Sequence, residues 1–220
     1  MSKRQKNMVL FIYFVVFFAL WALFELIVNE KIKAVVDNKI LYCLITNGIV
    51  KTLVWTLPAV IFLQRFRGDV SVTLREMFIF KLDWLKYLPI FLIITVYLLG
   101  GAILQTGKLV ITSKFDFGDV IAVLFVGITE ETVFRGWLLN FSVKENKKWF
   151  SIGINAVLFL IIHFPIWISE GVFISNFVGF GFLSILALSI LFSCTFLKSK
   201  SILVSIALHM YWNLLVSMFY

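Results

Sequence analysis

Residues 119–142 read DVIAVLFVGITEETVFRGWLLNFS. The stretch is long and apolar enough to cross a bilayer as one helix, which takes about 20 residues. Its middle nevertheless holds Glu130, Glu131 and Arg135. Ionised groups are expensive in hydrocarbon, so by default they mark a site and call for partners. Glu131 and Arg135 are i and i+4 with the acid first, the favourable order for a pair on one helix face. Glu130 points about 100° away from Glu131 on the helical wheel. It therefore has no partner on its own helix, and needs a cation or a hydrogen-bond donor from elsewhere.

The rest of the chain fits this reading of a membrane helix. Of 220 residues, 61% are hydrophobic and 15% charged, and the mean hydropathy is +1.01. A soluble domain is nearer half apolar and a quarter charged, and a disordered chain is less hydrophobic still. The apolar residues fall into seven runs: Met8–Val28, Ile40–Leu63, Trp84–Leu104, Asp119–Ser142, Trp149–Ile168, Val172–Leu197 and Ser201–Phe219. The expected fold class is all-α, a polytopic transmembrane helical bundle of about seven or eight spans. The polar connection Gln64–Asp83 is expected to hold a short interfacial helix. Residues 1–118 form an N-terminal group of spans without a motif, and residues 119–220 a motif-bearing core.

The formal charge of +8 does not point to nucleic acid, because the basic residues sit between apolar runs. Thirteen Lys and Arg fall on one side of the seven runs, Lys81 and Lys144 among them, against five on the other. The richer side is the cytoplasmic one, which puts the N-terminus in the cytoplasm. Cys43 and Cys194 lie within apolar runs without metal-ligand or redox spacing, and read as small buried side chains. Glu25, near the end of its run, is expected to reach the interface. Lys51, mid-run, is expected to pair with an acid or to stretch toward the surface. Neither receives a role. Trp84, Trp149 and Tyr220 read as interfacial anchors.

The chain has two histidines, His163 and His209, and both lie inside apolar runs. Asn213 is i+4 from His209, on the same helix face. Helix rise puts Glu130, His163, His209 and Asn213 roughly 12–20 Å below the ends of their runs on the basic side. Three helices thus bring a carboxylate, two imidazoles and a carboxamide to one layer. A lone intramembrane His or Asn is more often a packing contact worth about 1 kcal/mol. The convergence of all four favours a functional site.

At these residues the chain resembles the CPBP family of intramembrane proteases, the type II CAAX-prenyl endopeptidases and bacteriocin-processing or self-immunity proteins. The family's EExxxR motif with a following glycine matches Glu130, Glu131, Arg135 and Gly136. Its FxxxH motif matches Phe159 and His163, and its HxxxN motif matches His209 and Asn213. The resemblance implies an endopeptidase in which Glu130 and His163 activate water and His209 and Asn213 stabilise the oxyanion. Glu131 and Arg135 would then be structural. It implies no essential cofactor; the alternative is a zinc ion on Glu130, His163 and His209, since two His and a Glu form a common zinc set.

Two other classes compete with the protease. A non-catalytic immunity or scaffold protein would bind a peptide without needing Glu130 and His163 together. A proton-coupled transporter would show internal repeats or broken helices, which the sequence lacks. The expected partners are the bilayer, a peptide or membrane-protein substrate and a peptide exporter, with no nucleic acid. The expected location is a bacterial plasma membrane, by analogy with the family.

Overall fold

The computed structural model describes residues 1–78, 82–143 and 145–220. Lys81 and Lys144 from the charge count, and the 79–81 part of the Gln64–Asp83 connection, lie outside them. Among the described residues every regular element is helical. Six helices are long and apolar enough to cross a membrane: α1 (Arg4–Val35), α2 (Lys39–Arg65), α3 (Trp84–Thr106), α5 (Lys148–Ser169), α6 (Gly181–Ser199) and α7 (Ile202–Phe219). Between α3 and α5 runs α4 (117–142), of similar length. Asp119, Glu130, Glu131 and Arg135 make α4 too charged to count as an ordinary span, and it is the most enclosed of the set: every residue from Thr129 to Phe141 is buried.

The helix ends follow from local chemistry. Asp116 caps α4 through the Gly118 amide and Ser201 caps α7 through Leu203, each satisfying a backbone donor that a helix start leaves open. Two ion-pair groups tie the opposite ends of the bundle. Lys39, at the start of α2, meets Asp116 at 3.3 Å and Asp119 at 2.7 Å. Lys6 of α1 meets Asp69 in the α2–α3 connection at 2.9 Å, and its hydrogen bond holds the Asp69 carboxyl below the usual carboxylate range.

The run Val172–Leu197, read from sequence as one span, is broken. A short helix, Phe173–Val178, precedes α6, and Phe180 between them adopts a left-handed conformation with φ of 59°. A continuous helix cannot pass through that geometry. In α5 the helix is interrupted at Ile162–His163, because Pro165 has no N–H to give the carbonyl of Ile161. Trp21 of α1 donates its indole N–H to the carbonyl of Ile162, at 3.0 Å.

Two apolar clusters hold the bundle. The larger joins α1, α2, α4 and α5 through rings, including Phe17, Trp21, Trp55, Phe134, Trp137 and Phe159. The smaller joins α3, α6 and α7 through Ile94, Leu98, Phe192, Leu208 and Leu215. Helices α4 and α7 approach closely at Gly127, where an added Cβ would lie 2.6 Å from Cγ of Met210. The connection after α2 is docked rather than loose. The Asn140 carboxamide accepts from the amides of Ser71 and Val72 and donates to the carbonyl of Val72, and the short helix expected in this connection, Leu74–Met77, buries Met77. A net hydrogen bond contributes about 1 kcal/mol, so Asn140→Ala is expected to destabilise the chain by about 2–4 kcal/mol. Unfolding of the detergent-solubilised variant measures the loss, and a wild-type stability would show that the docking is dispensable.

Candidate active site

Three sequence-selected side chains meet directly. Glu131 and Arg135 are both 0% exposed. The Glu131 Oε1 atom accepts from Nη1 of Arg135 at 3.0 Å and from Nδ1 of His209, on α7, at 2.9 Å. Arg135 donates its Nη2 to the backbone carbonyl and hydroxyl of Ser189 on α6, at 3.1 and 2.9 Å. Its guanidinium also lies over the rings of Phe159 and Phe192, at 4.5 and 5.3 Å. The i,i+4 pair read from sequence is therefore present, and it binds α4 to α6 and α7 as well.

Glu130, expected to lack a partner on its own helix, finds one on α2. Its Oε1 lies 3.1 Å from Nζ of Lys51, while its Oε2 lies 3.9 Å from Nε2 of His209. Lys51 is 6% exposed and Glu130 5%, so of the two expectations for the lysine the pairing holds and the stretch to the surface does not. Glu25 also departs from its expectation. It is buried and accepts from Asn29 at 2.8 Å, and Asn29 in turn accepts from Tyr42 at 2.7 Å. That short polar network replaces the interface as the partner of the carboxylate.

His163 stands at the break in α5, where the interrupted helix leaves it half-buried. Its Nδ1 lies 2.7 Å from the carbonyl of Phe159. A carbonyl only accepts, so Nδ1 carries the proton and Nε2 has the free lone pair. The ring of Phe159, one turn before His163 on α5, lies 5.1 Å from His163 and 6.0 Å from His209. His163 is within electrostatic reach of Glu130 but shares no hydrogen bond with it. Asn213 is half-exposed, one turn from His209 on α7, and is not brought into hydrogen-bond contact with the others.

The same logic fixes the His209 tautomer. Its Nδ1 faces a carboxylate already paired to Arg135, so Nδ1 carries a proton. The ring stacks on Phe192 with centroids 5.1 Å apart. Neutral His209 then presents a lone pair at Nε2, and only its imidazolium form presents an N–H there.

Among the described residues no three His, Cys, Asp or Glu side chains are grouped to hold a metal. Glu130 already faces an ammonium, which repels a dication. A groove of about 590 Å³ between α1 and α5, lined by Phe14, Leu138, Lys147, Phe150 and Asn155 among others, reaches none of the site residues.

Sequence reasoning expected an acid for Lys51 without naming Glu130 or giving the lysine a role, and it missed Ser189 and the rings of Trp21, Trp55 and Phe192. For Lys51 a signal existed: an unpartnered mid-span cation and an unpartnered mid-span acid are each other's cheapest solution in lipid.

Against known proteins, residues 117–215 match the family model described as type II CAAX prenyl endopeptidase Rce1-like. The matched segment runs from the start of α4 into α7, holds all three motifs and is consistent with the CPBP resemblance. No curated protein and no solved structure matches the chain. The match supports a CAAX-type intramembrane endopeptidase in general terms.

Removing one partner of a buried ion pair costs about 3–5 kcal/mol. Glu131→Ala is therefore expected to lower stability by about that amount and to reduce folded yield in membranes. Size-exclusion profiles and thermal unfolding of the purified variant measure it; an unchanged profile and midpoint would mean that the pair does not hold the bundle.

Proposed function

We propose that the chain is an intramembrane endopeptidase that hydrolyses a peptide bond of a peptide or membrane-associated protein, with Glu130 and His163 activating water. The observation that carries this reading is the setting of Glu130: a buried carboxylate fixed at one oxygen by Lys51, with the other turned toward His209. Peptide hydrolysis needs a base for water, a proton for the leaving amine and donors for the developing oxyanion. Glu130 is a base in a site shielded from bulk water. His163, whose Nδ1–H donates to the Phe159 carbonyl, offers Nε2 as a second acceptor that orients or takes the water proton. That proton then passes to the leaving nitrogen.

His209 and Asn213 supply the oxyanion donors. His209 does so as an imidazolium, with Glu131 on Nδ1 and Glu130 near Nε2 to balance its charge. The Asn213 carboxamide, half-exposed and without a hydrogen bond among the described residues, is available to substrate from the same helix face. Glu131 and Arg135 hold His209 in place and are not assigned to the chemistry. We assign no metal: the lysine at Glu130 does for the carboxylate what a counter-cation must. The charge bias places the N-terminus in the cytoplasm, and family analogy suggests a bacterial plasma membrane, with a peptide exporter as partner.

Peptide profiling of membranes tests the central assignment. Cells expressing Glu130→Gln or His163→Ala at wild-type protein levels are expected to lose the cleavage products seen with the wild-type chain, by about a hundredfold or more. Persistence of the products in both variants would favour a scaffold or immunity role. For the metal, hydrolysis by purified protein is expected to survive exhaustive chelation. Activity abolished by the chelator and restored by zinc would overturn the metal-free assignment.

A further inference from the structure

The structure points to a residue outside the matched domain as part of the apparatus. We infer that Lys51, on α2, is the positioning residue of the Glu130 carboxylate, holding it ionised and fixing which of its oxygens faces the reacting space. The inference rests on the reading of Glu130 as the base.

Three observations carry it. First, Lys51 does not reach an aqueous surface. A lysine in a membrane helix ordinarily extends its stem until the ammonium reaches water, yet this one is 6% exposed and 3.1 Å from Oε1 of Glu130. Second, its position is enforced by rings. Nζ lies 5.0 Å from the ring centroid of Trp21 and 4.9 Å from that of Trp55, both good cation–π distances. The two indoles contact each other edge-on at 4.7 Å. Trp21 is fixed in turn by its hydrogen bond to Ile162, the neighbour of His163. One chain of contacts thus runs from the break in α5 through Trp21 and Lys51 to Glu130, linking the placement of the two groups assigned to water activation.

Third, the backbone is locally adapted at this point. Lys51 sits between two π-helical stretches of α2, Leu44–Val50 and Thr52–Thr56, and α1 has another at Phe24–Val28, just beyond Trp21. Wider π turns change the facing of side chains and concentrate at functional sites.

Charge balance gives the pairing its consequence. Glu130 is faced by Lys51 from α2, His209 from α7 and His163 from α5, with Glu131 and Arg135 on its own helix. Glu25 on α1 also acts on Lys51. Arg135 is committed to Glu131 and Ser189. Without Lys51 the second carboxylate keeps only the titratable ring of His209 beside it, at 3.9 Å, which can give up its proton, and a buried carboxylate so placed takes up a proton and ceases to be a base. A lysine that merely joins α1, α2 and α4 would affect folding but not the protonation of Glu130.

Infrared spectroscopy of the full chain in lipid nanodiscs distinguishes these roles. The difference spectrum between wild type and Glu130→Gln identifies the Glu130 carboxylate bands. In Lys51→Met these bands are expected to disappear and a protonated carboxyl stretch to appear, while Lys51→Arg keeps the carboxylate. Carboxylate bands unchanged in Lys51→Met overturn the inference and leave the role of Glu130 intact, because that role is tested separately by product loss in Glu130→Gln. If Lys51→Met fails to fold, the Lys51→Met/Glu130→Gln double variant decides. Recovery of folded yield shows that the defect was the unpaired carboxylate, and no recovery overturns the assignment.

Discussion

A fully buried carboxylate, Glu131, is the constraint on which the bundle depends. One of its oxygens accepts from Arg135 on its own helix and from His209 on α7, and Arg135 continues to Ser189 on α6. Taking such charges out of water costs several kcal/mol per ion, recovered only when geometry and hydrogen bonding are good. The helices are therefore not free to slide or rotate past one another. A displacement of α7 that a purely apolar interface would tolerate would leave Glu131 without His209. Gly127 permits the necessary approach, since any side chain there would push against Met210.

The two adjacent glutamates have divided roles because their cations come from different places. Glu131 is neutralised within α4 and behaves as structure. Glu130 is neutralised from α2, by a lysine held over two indoles, and keeps one oxygen turned toward an imidazole. The first pair fixes where the second can be. On the proposed reading this division lets a double-glutamate motif serve both stability and chemistry, although the residues differ by a single position in sequence.

Much of this was legible in the sequence because intramembrane charge is so costly. The run 119–142 announced a helix, the spacing of Glu131 and Arg135 announced their pairing, and the apolar runs located the helices, although α1 continues to Val35 and α6 begins only at Gly181. Contacts between helices were not legible, because periodicity gives the face of a residue on its own helix and says nothing of the neighbour's rotation. Hence the depths of Glu130, His163, His209 and Asn213 agree, yet His209 bonds to Glu131 and Asn213 bonds to none of them. The π turns around Lys51 and the left-handed Phe180 between Gly179 and Gly181 shift the facing of side chains in ways that hydropathy does not encode. The burial of Glu25 needed a partner, Asn29, one turn along its own helix, which spacing alone could have suggested.

The account stands on His209 and Glu131 meeting across the α4–α7 interface. With only two histidines in the chain, solid-state NMR of protein labelled with ¹⁵N-histidine and ¹³C-glutamate, in bilayers, can read that contact against a His209→Gln reference. The account predicts strong dipolar coupling from the His209 Nδ1 atom to a glutamate side-chain carboxyl carbon, as a 2.9 Å N–O contact requires. An imidazole nitrogen uncoupled to any glutamate carboxyl would contradict it.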